Sequence, residues 1–96
     1  MLGQVTIATE SPTTLKSLLE VAIQNESKLL ELGIERTRER LATFEKQFGM
    51  NSEEFYRRFE DAEIAETMDF IDWWGEVKML RLLEEQKLAL DGARIL

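Results

Sequence analysis

Apolar residues recur along this chain at the three-and-four spacing of helix faces, and that rhythm divides it into three segments. Ser11-Pro12 reads as an N-cap followed by proline at the first helical position, where the missing N–H costs nothing. Beyond it, Leu15, Leu18, Leu19, Ala22 and Ile23 line one face. Leu30, Ile34, Thr37, Leu41, Phe44 and Phe48 then alternate by four and three as a coiled-coil-like stripe. Gly33 interrupts this pattern at a cost of ~1 kcal/mol relative to alanine. A left-handed cap at Gly33 would fold Ile34 back on Leu29, but no capping residue follows and Ile34 stays in phase. The spacing therefore predicts one long helix over 12–48, with Gly33 as the point where it would bend.

Gly49 ends that helix. Asn51 with Glu54 three residues later is a capping box, and Met50 and Phe55 occupy the two positions of a hydrophobic staple. A short helix over 51–60 turns Phe55, Tyr56 and Phe59 inward and Arg57-Arg58 outward. The periodicity lapses at Asp61-Ala62-Glu63, which marks a turn. The last helix spans 67–90 and stops at Asp91-Gly92, with glycine at the C′ position. Residues 1–11 form an N-terminal arm. Its segment Val5-Thr6-Ile7-Ala8-Thr9 is β-branched and strand-like, but nothing else in the chain offers a second strand. The segment pairs with a copy of itself, pairs with a partner, or stays loose. The expected architecture is a single all-α domain, a long antiparallel helical hairpin with a short bridging helix, completed as a dimeric helical bundle.

The last helix carries two apolar faces. At about 100° per residue, Phe70, Trp73, Trp74, Val77, Leu80 and Leu88 fall on one arc, and Met68, Ile71, Gly75, Met79 and Leu82 on another roughly opposite. The long first helix covers one of them. The second is either covered by the short aromatic helix or left as an interface. Gly75 favours the interface, because a mid-helix glycine costs ~1 kcal/mol and is commonly offset by close approach of another backbone or side chain. Met68 and Met79 suit an adaptable surface. Trp73 and Trp74 point about 100° apart, so one of them is expected at an interface edge with a wet indole N–H. Met68, Ile71, Trp73, Trp74, Gly75, Met79 and Leu82 are thus the candidate partner-binding residues.

Charge sharpens this picture. Between Phe59 and Val77 lie seven carboxylates (Glu60, Asp61, Glu63, Glu66, Asp69, Asp72, Glu76) and no basic residue, which equals the net charge of −7. The rest of the chain balances, with twelve acids against twelve bases. Asp69, Asp72 and Glu76 form an acidic ridge between the two faces. Acids at a helix start favour its dipole by ~0.3–1 kcal/mol each, and exposed acids keep a protein soluble. A basic partner is the alternative reason for so many together.

With 96 residues the chain is one small domain, expected to bury roughly 60–65% of its extended surface, a thin core that association would reinforce. The absence of cysteine and histidine removes disulfides, thiol chemistry and the commonest metal ligand. No apolar run approaches the ~18 residues of a membrane span and the N-terminus has no basic-then-apolar leader pattern, so a cytoplasmic protein without a membrane segment is expected. The Glu60-x-x-Glu63-x-x-Glu66-x-x-Asp69-x-x-Asp72 ladder has the spacing with which all-helical nucleotide pyrophosphatases hold magnesium. It turns by about 60° per step, so its members diverge. Glu31, Glu35 and Glu39 are interspersed with Arg36, Arg38 and Arg40. No catalytic residue, metal site or cofactor is assigned on these grounds. A DNA-reading ribbon needs basic residues at the groove, and Gln4–Thr9 has none, while the net charge opposes phosphate; nucleic acid is not an expected partner.

Phe48-Gly49-Met50-Asn51-Ser52-Glu53-Glu54-Phe55, then Phe59-Glu60 and Asp69-Phe70-Ile71-Asp72-Trp73-Trp74, resemble a group of small acidic helical proteins of bacteria and archaea. These are often encoded beside a toxin-like partner and are regarded as antitoxins. The likeness covers roughly residues 40–80. It implies a non-enzymatic role in which the helical protein binds and neutralises a cognate toxin, without identifying that toxin or its contact residues. The N-terminal half has no antitoxin DNA-binding motif, which leaves autoregulation without a basis. The expectation is an interaction module that forms a homodimer or docks a basic protein. A structural homodimer with no toxin and a magnesium-dependent nucleotide hydrolase are the alternatives.

Overall fold

The computed structural model describes residues 3–96; Met1 and Leu2, at the start of the arm, lie outside the described residues. Three helices follow one another: α1 (Pro12–Phe48), α2 (Ser52–Glu60) and α3 (Met68–Asp91). Residues 3–10 have no regular secondary structure, and Val5 and Ile7 are exposed, so within the single chain this segment is an arm, not a strand.

Local chemistry accounts for each boundary. α1 begins with proline in its first turn and ends at Gly49, whose φ of 65° lets its N–H return to the Glu45 carbonyl. Gly33 neither breaks nor caps it: Ile34 is buried in the core, and Leu29 points to solvent. Asn51 caps α2 through its side chain, which accepts from the Glu54 N–H at 2.8 Å. Only half of the expected box forms, because the Glu54 carboxylate turns to Arg58 (2.8 Å). Another carboxylate, Glu45 on α1, accepts instead from the Ser52 N–H at 2.7 Å and ties the end of α1 to the start of α2. The lapse after Glu60 is a Schellman closure, with Ala62 N–H on the Phe59 carbonyl and Glu63 N–H on the Arg58 carbonyl. Ala62 takes the left-handed position, φ 58°. Thr67 caps α3 by accepting from the Phe70 N–H. At the far end Gly92 has φ −87°, so α3 stops without the left-handed turn expected of glycine there.

α1 and α3 run antiparallel, as three cross-links in reversed order establish: Arg40 with Glu76, Arg38 with Glu84, and Ser27 with Asp91. The core is concentrated where the end of α1, all of α2 and the start of α3 meet. Trp73 is its centre, fully buried, stacked on Phe55 with ring centroids 3.8 Å apart and flanked by Phe44 and Phe48 at 5.7 Å. Its indole N–H donates to the buried Ser52 hydroxyl at 3.0 Å. Towards the other end the core thins to the buried Leu30 and Ile34, and Leu83 lies over Gly33. No helix is long and apolar enough among the described residues to cross a membrane.

One side chain departs from the helical-wheel assignment. Leu88, placed on the core arc, is 75% exposed. The contact line along α3 instead passes through Leu80, Leu83, Lys87 and Leu90. Packed antiparallel helices wrap around one another, so the buried stripe drifts about 20° per heptad from a straight helix, and over two heptads Leu88 leaves it.

Candidate functional site

The outer face of α3 stays uncovered. Met68 is 75% exposed, Met79 46%, Leu82 48% and Ile71 40%, and an added Cβ at Gly75 would meet nothing within 4 Å. The short helix α2 does not reach this face. It packs beside α3 through Phe55 on Trp73 and Phe59 on Trp74, while Arg81 of α3 lies over the Tyr56 ring. The close approach that glycine was expected to allow at Gly75 occurs at Gly33, where a Cβ would sit 3.4 Å from the Leu83 Cδ1.

The two tryptophans divide differently from expectation. Trp73 belongs to the core and reaches no surface, so it is withdrawn from the partner-binding set. Trp74 is half-buried at the edge. Its indole N–H is not left to water but donates to Glu60 at 2.7 Å, and Lys78 stands over its ring at 4.2 Å. This hydrogen bond, with a smaller contribution from the Tyr56 hydroxyl, holds the Glu60 carboxyl below its usual pKa. Tyr56 is raised in turn, by burial first and by Glu60 second.

The seven acids are not one solvated patch. Glu60 is engaged by Trp74, Asp61 and Glu63 share Arg57 at 3.7 and 3.3 Å, and Glu76 is bound to Arg40 at 3.0 Å. Glu76 is largely covered, and its second oxygen is buried without a hydrogen-bond partner, so it belongs to the α1–α3 contact more than to the ridge. Glu66, Asp69 and Asp72 make no ion pair among the described residues. Asp69 and Asp72 are exposed, and a shallow groove at Asp72 is lined by Arg40, Thr43, Phe44, Ile71, Asp72, Gly75 and Glu76. Among the described residues no three acidic side chains converge as a metal cage; within the ladder Glu60 turns to Trp74 and Glu63 to Arg57.

Besides the Leu30–Phe48 stripe, α1 carries a second apolar line. Leu18, Leu29 and Leu32 are about 60% exposed on a flank next to the buried Leu30–Ile34 line. Their signal was present in the four-and-three spacing of Leu15, Leu18, Ala22, Asn25, Leu29 and Leu32. At the tip of the hairpin, Lys87 bonds Asp91 at 2.6 Å and Asp91 accepts from the Ser27 hydroxyl at 2.8 Å. Each partner favours the other's charged form, raising the Lys87 pKa and lowering that of Asp91.

Comparisons of the chain with protein-family models, with curated proteins and with solved structures find no match.

Proposed function

We propose that this protein is a non-enzymatic interaction module that docks a basic protein partner on the outer face of α3, with antitoxin-like neutralisation as its most concrete form. The observation that carries this reading is the open apolar face of Met68, Ile71, Gly75, Met79 and Leu82 beside Asp69 and Asp72, which make no ion pair among the described residues. Apolar side chains supply buried area in such a surface, while flanking acids speed encounter and reject acidic competitors. Trp74 extends the face at its edge. A net charge of −7 favours a basic partner over nucleic acid.

Affinity purification of the tagged chain from its native host tests this. A small basic protein in fixed stoichiometry is expected, lost in Ile71→Asp/Met79→Asp and retained in Leu88→Asp, a more exposed position outside the face. Co-expression should then relieve whatever growth defect the partner causes alone. Recovery of no basic protein, or equal recovery with both variants, refutes the reading.

A further inference from the structure

The hairpin leaves more surface than a monomer of its size should. The chain exposes 7629 Å², and its radius of gyration is 18.4 Å within a rod of 56 × 25 × 20 Å. A compact monomer of 11.2 kDa exposes about 5,700 Å² and has a radius near ~12.5 Å. The surplus of about 1,900 Å², to which the exposed arm of residues 3–10 contributes along with the hairpin, exceeds the roughly 800 Å² that each partner buries in a standard interface.

Two apolar bands are open, and charge decides which one suits a second copy. When two identical helices pair antiparallel about a two-fold axis, each shoulder of the helix meets its own copy. On α3, with the axis at Gly75, this sets the Asp72–Glu76 shoulder against itself; Arg40 offsets Glu76, but Asp72 makes no ion pair among the described residues, so each copy brings one uncompensated carboxylate to the seam of a chain already at −7. The α1 band has no such conflict. Leu15, Leu18, Ala22, Asn25, Leu29 and Leu32 follow heptad a and d positions without a single charge among them, and Leu18, Leu29 and Leu32 are 61%, 62% and 59% exposed. The band also runs past the tip of the hairpin. The end of α3 at Asp91 bonds Ser27, so the first turns of α1 project without a helix opposite them.

We infer that this α1 band is the seam of a homodimer in which α1 packs antiparallel on α1 of a second copy. The a-to-d layering of antiparallel helices then pairs Leu15 with Leu32, Leu18 with Leu29 and Ala22 with Asn25, each twice about the axis. Large residues meet large ones in the outer layers, and small Ala22 leaves room for the Asn25 amide. Both Asn25 side chains fall on the same side of the seam next to the axis, where the amides satisfy one another. The shoulders place Val21 by Lys28 and Leu19 by Glu26, so no like charges meet. A parallel pairing would instead stack Ala22 on Ala22 and Arg36 on Arg36. The inference is independent of the docking face on α3, which lies on the other helix.

Light scattering on the purified full chain at about 100 µM is the first test, since dimer population follows protein concentration. The expected mass is twice 11.2 kDa. Leu29→Glu, placed twice in each dimer, should raise the dissociation constant at least about a hundredfold and return the monomer mass, with an unchanged far-UV circular dichroism spectrum. Ile71→Asp/Met79→Asp should leave the dimer intact. A monomeric wild type, a dimer indifferent to Leu29→Glu, or a dimer abolished by the α3 variant each overturns the inference. Because the chain has no cysteine, orientation is read by oxidative cross-linking. Leu18→Cys mixed with Leu29→Cys should form a mixed disulfide dimer. Efficient self-linking of Leu18→Cys alone would overturn the antiparallel seam.

Discussion

Gly75→Ala separates the stability of the chain from the use of its surface. The residue sits mid-helix, exposed, with nothing within 4 Å of where a Cβ would stand. Alanine there brings only its helix propensity, worth about 0.8–1 kcal/mol over glycine in an exposed interior position. An unfolding entropy near 2.1 cal/mol/K per residue gives about 200 cal/mol/K for a domain of this length, so the melting temperature should rise by about 4–5 °C. Thermal unfolding followed by circular dichroism at several concentrations measures it. Gly33→Ala is the internal comparison: it has the same intrinsic gain, and its methyl would make an ordinary van der Waals contact with Leu83 at 3.4 Å, so a rise at least as large is expected. A Gly75→Ala melting temperature that stays level or falls would refute the reasoning, since it would mean that something already packs against this glycine. Any loss of partner capture in the stabilised variant then reports on the docked complex alone.

Other consequences concern the core, the turns and the pH response. Ser52→Ala strips the buried Trp73 N–H of its acceptor and should cost about 1–3 kcal/mol. In a Trp73→Phe background the same change should cost far less, and equal costs in denaturant titrations would show that the hydrogen bond contributes nothing. Ala62 occupies a left-handed position that disfavours side chains, so Ala62→Gly should raise stability by up to about 1 kcal/mol, whereas Gly49→Ala should lower it by about 1–2 kcal/mol. Melting temperatures moving in the reverse sense would contradict both assignments. The Glu60 and Asp91 carboxyls are held below their ordinary values of 4.5 and 3.8, by the Trp74 indole and the Lys87 ammonium respectively. Their stabilisation is present above those values and is lost as pH falls through the depressed folded ones. Glu60→Gln/Asp91→Asn should therefore flatten the acid limb of a melting-temperature profile, and an unaltered limb counts against these contacts.

Much of the fold is legible in the sequence because its signals are local. Asn51 as the cap of α2, Gly49 after Phe48 and proline at the start of α1 each act within a turn of the chain, and the helices start and stop beside them, although the Ser11 side chain makes no cap hydrogen bond. What the sequence does not convey depends on the fold as a whole. Leu88 leaves the core because the packed helices wrap, which a straight wheel ignores. Trp73 and Trp74 are neighbours of one chemistry, and only the position of α2 buries the first and leaves the second at the edge. Glu76 reads as part of an acidic ridge until Arg40, 36 residues away, is brought to it. Gly33 and Gly75 look alike in the sequence, yet only Gly33 has a side chain resting on it. The exposed flank of Leu18, Leu29 and Leu32 lies beside a stronger stripe on the same helix, which masks its own periodicity.

Docking on α3 requires its outer face to be surface and not interior, and the unfolding free energy of Met68→Asp/Met79→Asp is the sharpest test of that. These side chains are 75% and 46% exposed, so two carboxylates should replace them for no more than about 0.5 kcal/mol each. A loss of several kcal/mol would place both methionines inside a packed core and contradict the claim that this face awaits a partner.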